Sequence, residues 1–501
     1  MAKFYITTSI PYVNARPHIG HALEFVQADA IARYKKINGH GAFLTTGTDE
    51  NSLKSVISAQ KLGISAEELC RSNSKLFKDM SSAVGLSYDA FVRTSVDKEH
   101  MKTVQEFWAK CSESGDIYKK KYGGLYCVGC ELFYTEGELI GGLCPEHHTK
   151  PEFVEEENYF FRLSKYEKRV MDAIEGNAVQ ILPQERRAEV INFIKSGLED
   201  FSVSRSVERA HGWGLHVPGD DTQVIYVWFD ALVSYLTGAG FSRDKDLFRR
   251  LWPADIHVIG KGIVRFHAVY WIAMLMSAGV ELPKSILVHG YVTVDGQKMS
   301  KSIGNVVDPI AISAKYGQDA VRYYLLKEIS TFQDGDFSEK ALKDALNNEL
   351  AGNLGNFINR TFTFIGSRMG GSIKELEMDE GRLVIDEAGK IAAEVDGLMA
   401  RCQLGMALMK IMEISNIGNR YLQSNEPWKL ADVDERAARE VLFACATLCR
   451  MIGILVYPFM PGAAERMLGY IGEKPSGYGN AVEIPASFSI KEHGILFKKI
   501  E

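Results

Sequence analysis

The chain of 501 residues is long enough for roughly three domains at ~150 residues each, and 46% hydrophobic residues supply a core without covalent staples. Its 58 Lys+Arg against 64 Asp+Glu give a formal net charge of -6, which excludes a wholesale basic mode of nucleic-acid binding and leaves only a local basic surface. No apolar run reaches the ~18–20 residues of a membrane span, the N-terminus carries no apolar signal segment, and cysteines at this low density fit a reducing, cytoplasmic compartment.

Strand and helix signals alternate from the N-terminus. Phe4 to Thr8 reads as a strand, Ile10-Pro11-Tyr12-Val13-Asn14 as a turn, and a helix is expected from near Pro17 to Asn38-Gly39. Ala42 to Thr46 is the next strand, with a helix from about Ser52. This order argues for a parallel α/β sheet. From Tyr118 the rhythm breaks: Lys119 to Lys121, Gly123-Gly124, clustered cysteines and Glu155 to Glu157 mark an insertion over 118–221. The α/β rhythm resumes with strands at Val224 to Trp228, Ile256 to Ile259 and Ile286 to Val288. Beyond Lys340 the pattern is helical. Ile391, Val395, Leu398, Cys402, Met406 and Met409 predict one apolar helix face, and Val441, Cys445, Leu448, Ile452 and Leu455 predict another, stopped by Pro458 and Pro461. The expected layout is a first half-sheet over 1–117, the insertion over 118–221, a second half-sheet over 222–290, a connecting region over 291–340, a helical bundle over 341–480 and a tail over 481–501.

Two short motifs carry the chemistry. His18-Ile19-Gly20-His21 lies where a strand hands over to a helix, a position that binds anions through backbone N–H groups and the helix dipole. Gly20 removes a side chain so that a flat ring or a phosphate can approach the backbone. Chance yields such a pattern only about 0.03 times in a chain with 12 His and 45 Gly, so the motif is informative. Lys298-Met299-Ser300-Lys301-Ser302, 280 residues further on, offers two cations that can reach phosphate charge.

This pair resembles the HIGH and KMSKS signatures of class I aminoacyl-tRNA synthetases. The neighbouring segments Ile10 to Asn14, Gly47-Thr48-Asp49-Glu50, Val227 to Leu232 and Ile259-Gly260-Lys261 running to Phe266-His267 are similar to those of the methionyl-tRNA synthetase family. The resemblance implies a Rossmann-type parallel sheet interrupted by a zinc-binding connective insertion and followed by an all-α anticodon-binding bundle. It implies the catalytic residues His18, His21, Lys298 and Lys301. ATP would be held by His18, Gly20, His21, Gly260, His289, Lys298, Met299, Ser300 and Lys301, together with Mg²⁺. Methionine would be held by Ile10, Tyr12, Asp49, Trp228, Ala231, Leu232, Tyr235, Ile263, Phe266 and His267. The physics agrees: an unbranched thioether needs aromatic walls, and its ammonium needs an anion such as Asp49. Leu232 stands where many relatives carry Pro, an apolar-for-apolar exchange. An isoleucyl-, valyl- or leucyl-specific enzyme would need a far larger insertion than 118–221 provides.

Cys127-Val128-Gly129-Cys130 and Cys144-Pro145-Glu146-His147 have the spacing of a closed tetrahedral zinc knuckle. Three thiolates and one imidazole leave no open position, so the expectation is one structural Zn²⁺ on Cys127, Cys130, Cys144 and His147. His148 remains an alternative fourth ligand, and a Cys127–Cys130 disulfide an alternative chemistry. In the bundle, Asn425-Glu426-Pro427-Trp428 resembles the family's N-x-P-W segment, and Asn347 to Phe357 its other anticodon-contacting helix. Trp428 and Asn353 are therefore the expected anticodon contacts. The implied partners are ATP, L-methionine and tRNA(Met), with no membrane. A chain ending at Glu501 without an appended tRNA-binding module favours a monomer.

Overall fold

The computed structural model describes residues 3–127, 132–134, 136–146, 148–299, 304–375 and 380–500, with the backbone alone at 132, 133 and 298. Strands β1 (Lys3–Thr8), β2 (Gly41–Thr48), β3 (Ala90–Arg93), β4 (Gln180–Leu182), β5 (Ile256–Gly260) and β6 (Ser285–His289) form one parallel sheet in the order β3-β2-β1-β5-β6-β4. Ile286, Leu287 and Val288 are successive residues with no exposure, as expected of a strand covered on both faces. Strand order reverses beside β1. The crevice beyond the carboxyl ends of β1 and β5 is thus the place where such sheets bind ligands.

Helix α1 (Ile19–Ile37) leaves β1 through a 10-residue connection and ends at Asn38-Gly39, where Gly39 turns at φ 84°. Its bounds agree with the sequence expectation to within two residues. Helix α2 (Lys98–Glu113) packs against α3 (Val227–Ala239) beneath the sheet.

Three expectations need correction. Val224 to Trp228 is not a strand of the parallel sheet. The strand Asp220–Ile225 pairs antiparallel with Ser204–Ser206 and His216–Val217 in a separate small sheet, and α3 starts at Val227. Nearly every position of α3 is buried, so its apolar run has no helical stripe, and periodicity cannot tell such a helix from a strand. Second, 118–221 is not wholly a separate insertion, because its residues Gln180–Leu182 return as the edge strand β4 alongside β6. The part that stands apart is the sheet built on the long Ile117–Cys127 and Glu152–Phe161 hairpin. Third, Ile391 to Met409 is two helices. The break falls at Cys402, whose φ of 57° no helix accepts, and Met406 and Met409 beyond it are 52% and 50% exposed.

The bundle comprises α4 (Asn356–Arg368), α5 (Glu380–Ala400), α6 (Leu404–Asn425), α7 (Glu435–Val456) and α8 (Pro461–Tyr470). All five α7 positions foreseen as apolar are buried. The tail is anchored: Ser487–Ser489 pairs with Ser372–Lys374, and the Asn347 side chain exchanges hydrogen bonds with the Ile500 backbone. Sheet and bundle are welded by Arg322, which has no exposure. Its Nη2 lies 2.7 Å from Asp29 Oδ2 on α1, and it donates to the carbonyls of Pro458 and Phe459 between α7 and α8. Such a charge is tolerable in the core because each of its three nitrogens finds an acceptor, Nη1 at the Val84 carbonyl.

Candidate adenylation and anticodon sites

His18 is the N-cap of α1, with extended backbone, rather than a residue of its first turn. Its Nδ1 accepts from Gly20 N–H at 3.2 Å, and His21 Nδ1 accepts from His18 N–H at 3.2 Å, so the two rings close a capping box. Both protons must then lie on Nε2, which leaves two N–H donors for a ligand. The rings stack at 3.8 Å. Burial pushes His18 down to about 4 and His21 well below the usual histidine value, the latter helped by His18 and His289. Both are therefore neutral donors at pH 7.

A Cβ on Gly20 would stand 3.0 Å from His18 Cε1 and 3.5 Å from Met299 Cε. The two signatures, distant in sequence, thus meet at this glycine. Ser300 and Lys301 lie outside the described residues, and Lys298 is described through its backbone, in a two-residue strand beside Val294.

Both motifs open onto a cleft of about 570 Å³ whose lining includes His18, Gly20, His21, Gly260, His289 and Met299, and also Tyr12, Trp228, Ile263 and Phe266. Trp228 and Phe266 stack face to face at 3.8 Å and 7°, and Tyr12 meets Trp228 edge-on at 6.2 Å. Asp49, 2% exposed, is bridged to Tyr12: its N–H donates to Pro11 O, and its carbonyl accepts from Val13 N–H. Asp49, Tyr235, His267, Ala231, Leu232 and Ile10 are buried and do not line the cleft. His267 Nδ1 faces the Ile263 carbonyl at 2.9 Å and so carries the proton, leaving Nε2 to accept from Tyr235 OH at 2.8 Å. Burial holds His267 at about 4.

Glu24 was missed by sequence reasoning. It lies one turn beyond His21 and is 7% exposed at the cleft floor. Its Oε1 accepts from Ser9 N–H and Oγ–H at 2.8 and 2.6 Å, and Oε2 lies 2.9 Å from His289 Nε2. The only signal was a carboxylate amid the apolar run Ala22-Leu23-Glu24-Phe25-Val26.

Of the four expected zinc ligands, Cys130 and His147 lie outside the described residues. Cys127 and Cys144 are both buried in one small cluster with Tyr134. Gly141 and Gly142, at φ 60° and 77°, turn the chain back towards Cys144. His148 is exposed.

In the bundle, Pro427 follows the left-handed Glu426 (φ 40°) and starts a short helix that leaves Trp428 half-buried. A cleft of about 240 Å³ there is lined by Asn359, Arg360, Thr363, Phe364 and Trp428, with the Arg360 guanidinium 5.0 Å from the indole centroid. Asn353 is not part of it. Its side chain is tied to Ser415, Asn416 and Asn419 on α6, two helical turns from Arg360. Arg360 was missed because a lone arginine on a helix carries no motif.

The family model described as tRNA synthetases class I (M) matches residues 4–150 and 146–362, and the anticodon binding domain of methionyl tRNA ligase matches 371–501. The chain is 40% identical over 492 residues to methionine–tRNA ligase of Mycobacterium bovis, covering 95% of this chain and 93% of that one. It belongs to the methionine–tRNA ligase family. The Brucella suis member is 41% identical over 472 residues, covering 93% of this chain and 91% of its own. Among solved structures, Mycobacterium tuberculosis methionyl-tRNA synthetase in complex with methionyl-adenylate superposes with a TM-score of 0.95 at 38% identity, covering 99% of this chain and all of that one. The free form of that enzyme gives 0.87 at 36% identity, covering 100% of this chain and 99% of the other. The family's class I fold, a parallel sheet followed by a helical C-terminal domain, is the architecture described above. No helix among the described residues is long and apolar enough to cross a membrane.

Proposed function

We propose that the chain activates L-methionine with ATP and transfers the methionyl group to the 3′ end of tRNA(Met). The observation that carries this reading is one cleft lined both by two neutral imidazole donors and by a stacked aromatic wall, with Asp49 buried behind that wall through its backbone bridge to Tyr12. The methionine ammonium pairs with Asp49, and its thioether lies against Trp228 and Phe266. A carboxylate oxygen attacks the α-phosphate in line, the bond to the β-phosphate oxygen breaks, and pyrophosphate leaves. No protein nucleophile is needed; the chain's part is orientation and charge stabilisation. His18 and His21 donate Nε2–H to the α-phosphate oxygens, Gly20 admits the adenosine, and Lys298 and Lys301 hold the departing phosphates. Mg²⁺ bound with ATP neutralises charge on those phosphates. The terminal ribose hydroxyl then attacks the adenylate carbonyl, and AMP leaves.

Cys127, Cys130, Cys144 and His147 would hold one structural Zn²⁺ that ties the hairpin turns together. The shared burial of Cys127 and Cys144 supports that set, and the exposure of His148 argues for His147 as the fourth ligand. Trp428 and Arg360 would read the CAU anticodon, and the described cysteines, all free thiols, fit a cytoplasmic enzyme. The test is ATP–pyrophosphate exchange across the twenty amino acids. Exchange dependent on methionine is expected, and exchange driven by another amino acid overturns the reading.

A further inference from the structure

Behind the methionine wall lies a buried polar group that the chemistry above leaves unused. Asp230, 1% exposed in the first turns of α3, aims its two carboxylate oxygens at two different elements. Oδ1 lies 2.8 Å from Nε2 of His100 on α2, and Oδ2 accepts from Asn51 Nδ2 at 2.8 Å. An ionised carboxylate can only accept, so His100 carries its proton on Nε2. Its Nδ1, 2.9 Å from Thr237 Oγ1, then accepts from that hydroxyl, and the ring spans two turns of α3. His100 has no exposure and Asn51 only 9%. A carboxylate this deep is tolerated because both oxygens are satisfied.

Chain connectivity ties this group to substrate recognition. Asn51 follows Asp49 by two residues, and Asp230 follows Trp228 by two. Asp49 is bridged to Tyr12, and Tyr12 packs edge-on to Trp228. The contacts therefore close a circuit: Asp49, Tyr12, Trp228, Asp230, Asn51 and back to Asp49. Glu50, between Asp49 and Asn51, is clamped by Arg93 through two N–H donors at 2.7 and 3.1 Å, so this loop has little slack. None of Asn51, His100 and Asp230 lines the cleft.

We propose that the Asn51–Asp230 hydrogen bond, oriented by His100, sets the distance between Asp49 and Trp228, so that these three are positioning residues for methionine. The inference rests on the cleft being a methionine site. A substrate with an ammonium at one end and a thioether at the other measures this distance directly, whereas ATP is assigned to the residues around His18, Gly20 and His21. Small displacements of such a frame are costly to binding and rate.

The experiment is ATP–pyrophosphate exchange with separate KM values for methionine and ATP in Asn51→Ala, Asp230→Ala and the double variant. Each single change is expected to raise KM for methionine about three- to tenfold, the worth of one buried hydrogen bond, with KM for ATP unchanged. The double variant should be no worse than the worse single one, because both remove the same link. Asp230→Asn keeps both hydrogen bonds once His100 shifts its proton to Nδ1, and is expected to recover most of the methionine affinity. If Asp230→Ala does not fold, Asn51→Ala and Asp230→Asn carry the test. Equal rises in both KM values, additive losses, or an unchanged KM for methionine in Asn51→Ala overturn the inference. Wild-type exchange that does not depend on methionine overturns the reading of the cleft instead.

Discussion

The proposed adenylation cleft and the Trp428 cleft hold their candidate functional groups in opposite ways. In the first, Glu24 and His289 are buried, His18 and His21 are half-buried, and each is hydrogen-bonded to backbone or to another side chain before any ligand arrives. In the second, Trp428 is half-buried, and Arg360 is held by an exposed hydrogen bond to Gln423 and by its contact with the indole. Phosphate chemistry gains from donors whose orientation and desolvation are settled during folding, because charge then develops against fixed dipoles. Reading a single-stranded base requires the reverse, an aromatic plane left open for stacking.

The largest test of this contrast is His21→Ala. It should slow adenylate formation about 10²–10³-fold, the usual worth of one preoriented donor, while methionine binding measured at equilibrium stays largely intact. A methionine affinity that falls as far as the rate would show that His21 serves binding and not the transition state. Trp428→Ala comes next. Loss of one stacking partner, worth ~1–3 kcal/mol, should lower aminoacylation efficiency about 5- to 150-fold and leave pyrophosphate exchange untouched. If the variant instead loses thermal stability and still discriminates an anticodon-altered tRNA as wild type does, Trp428 is a core residue. Arg360→Lys keeps the charge and removes the planar contact, so aminoacylation should fall only about two- to fivefold. A drop as large as that of Trp428→Ala would mean that the guanidinium touches the anticodon directly.

The smallest effect is on pH. Burial lowers His18 to about 4 and His21 in the same direction, so both remain uncharged well below the usual histidine range. Single-turnover adenylation should therefore show no inflection near pH 6.5 assignable to these rings. Stability behaves differently. The unfolded chain takes up these protons first, so the stabilisation from His18 is complete above about 6.5 and declines as pH falls towards 4. Denaturation midpoints that stay level across that interval would show that the rings are solvated in the folded protein.

Local pattern was enough for a good part of the fold. The strands at Phe4 to Thr8 and Ala42 to Thr46, the stop of α1 at Asn38-Gly39 and the buried stripe of α7 rest on nearest-neighbour chemistry: β-branched runs, a glycine turn, a helical repeat. It failed where surroundings overruled pattern. α3 is buried on every side and so shows no stripe, β4 is a three-residue strand defined only by β6 beside it, and the helix break at Cys402 interrupts a repeat that looks continuous.

The same division holds for the sites. Residue type and short spacing marked His18, Gly20 and His21 as candidates, because a glycine between two imidazoles carries its chemistry within a few positions, whereas Asp49, Trp228, Phe266 and Trp428 were marked by the family resemblance of the segments around them. Only the tertiary structure decided that Met299 reaches Gly20, that Glu24 lies under His289, that Tyr235 and His267 are buried and do not line the cleft, and that Arg360 rather than Asn353 faces Trp428. Each of these depends on which elements pack together after the chain closes loops of tens to hundreds of residues. Burial, the tautomer a histidine adopts and the direction a side chain takes are properties of that packing, and no local pattern encodes them.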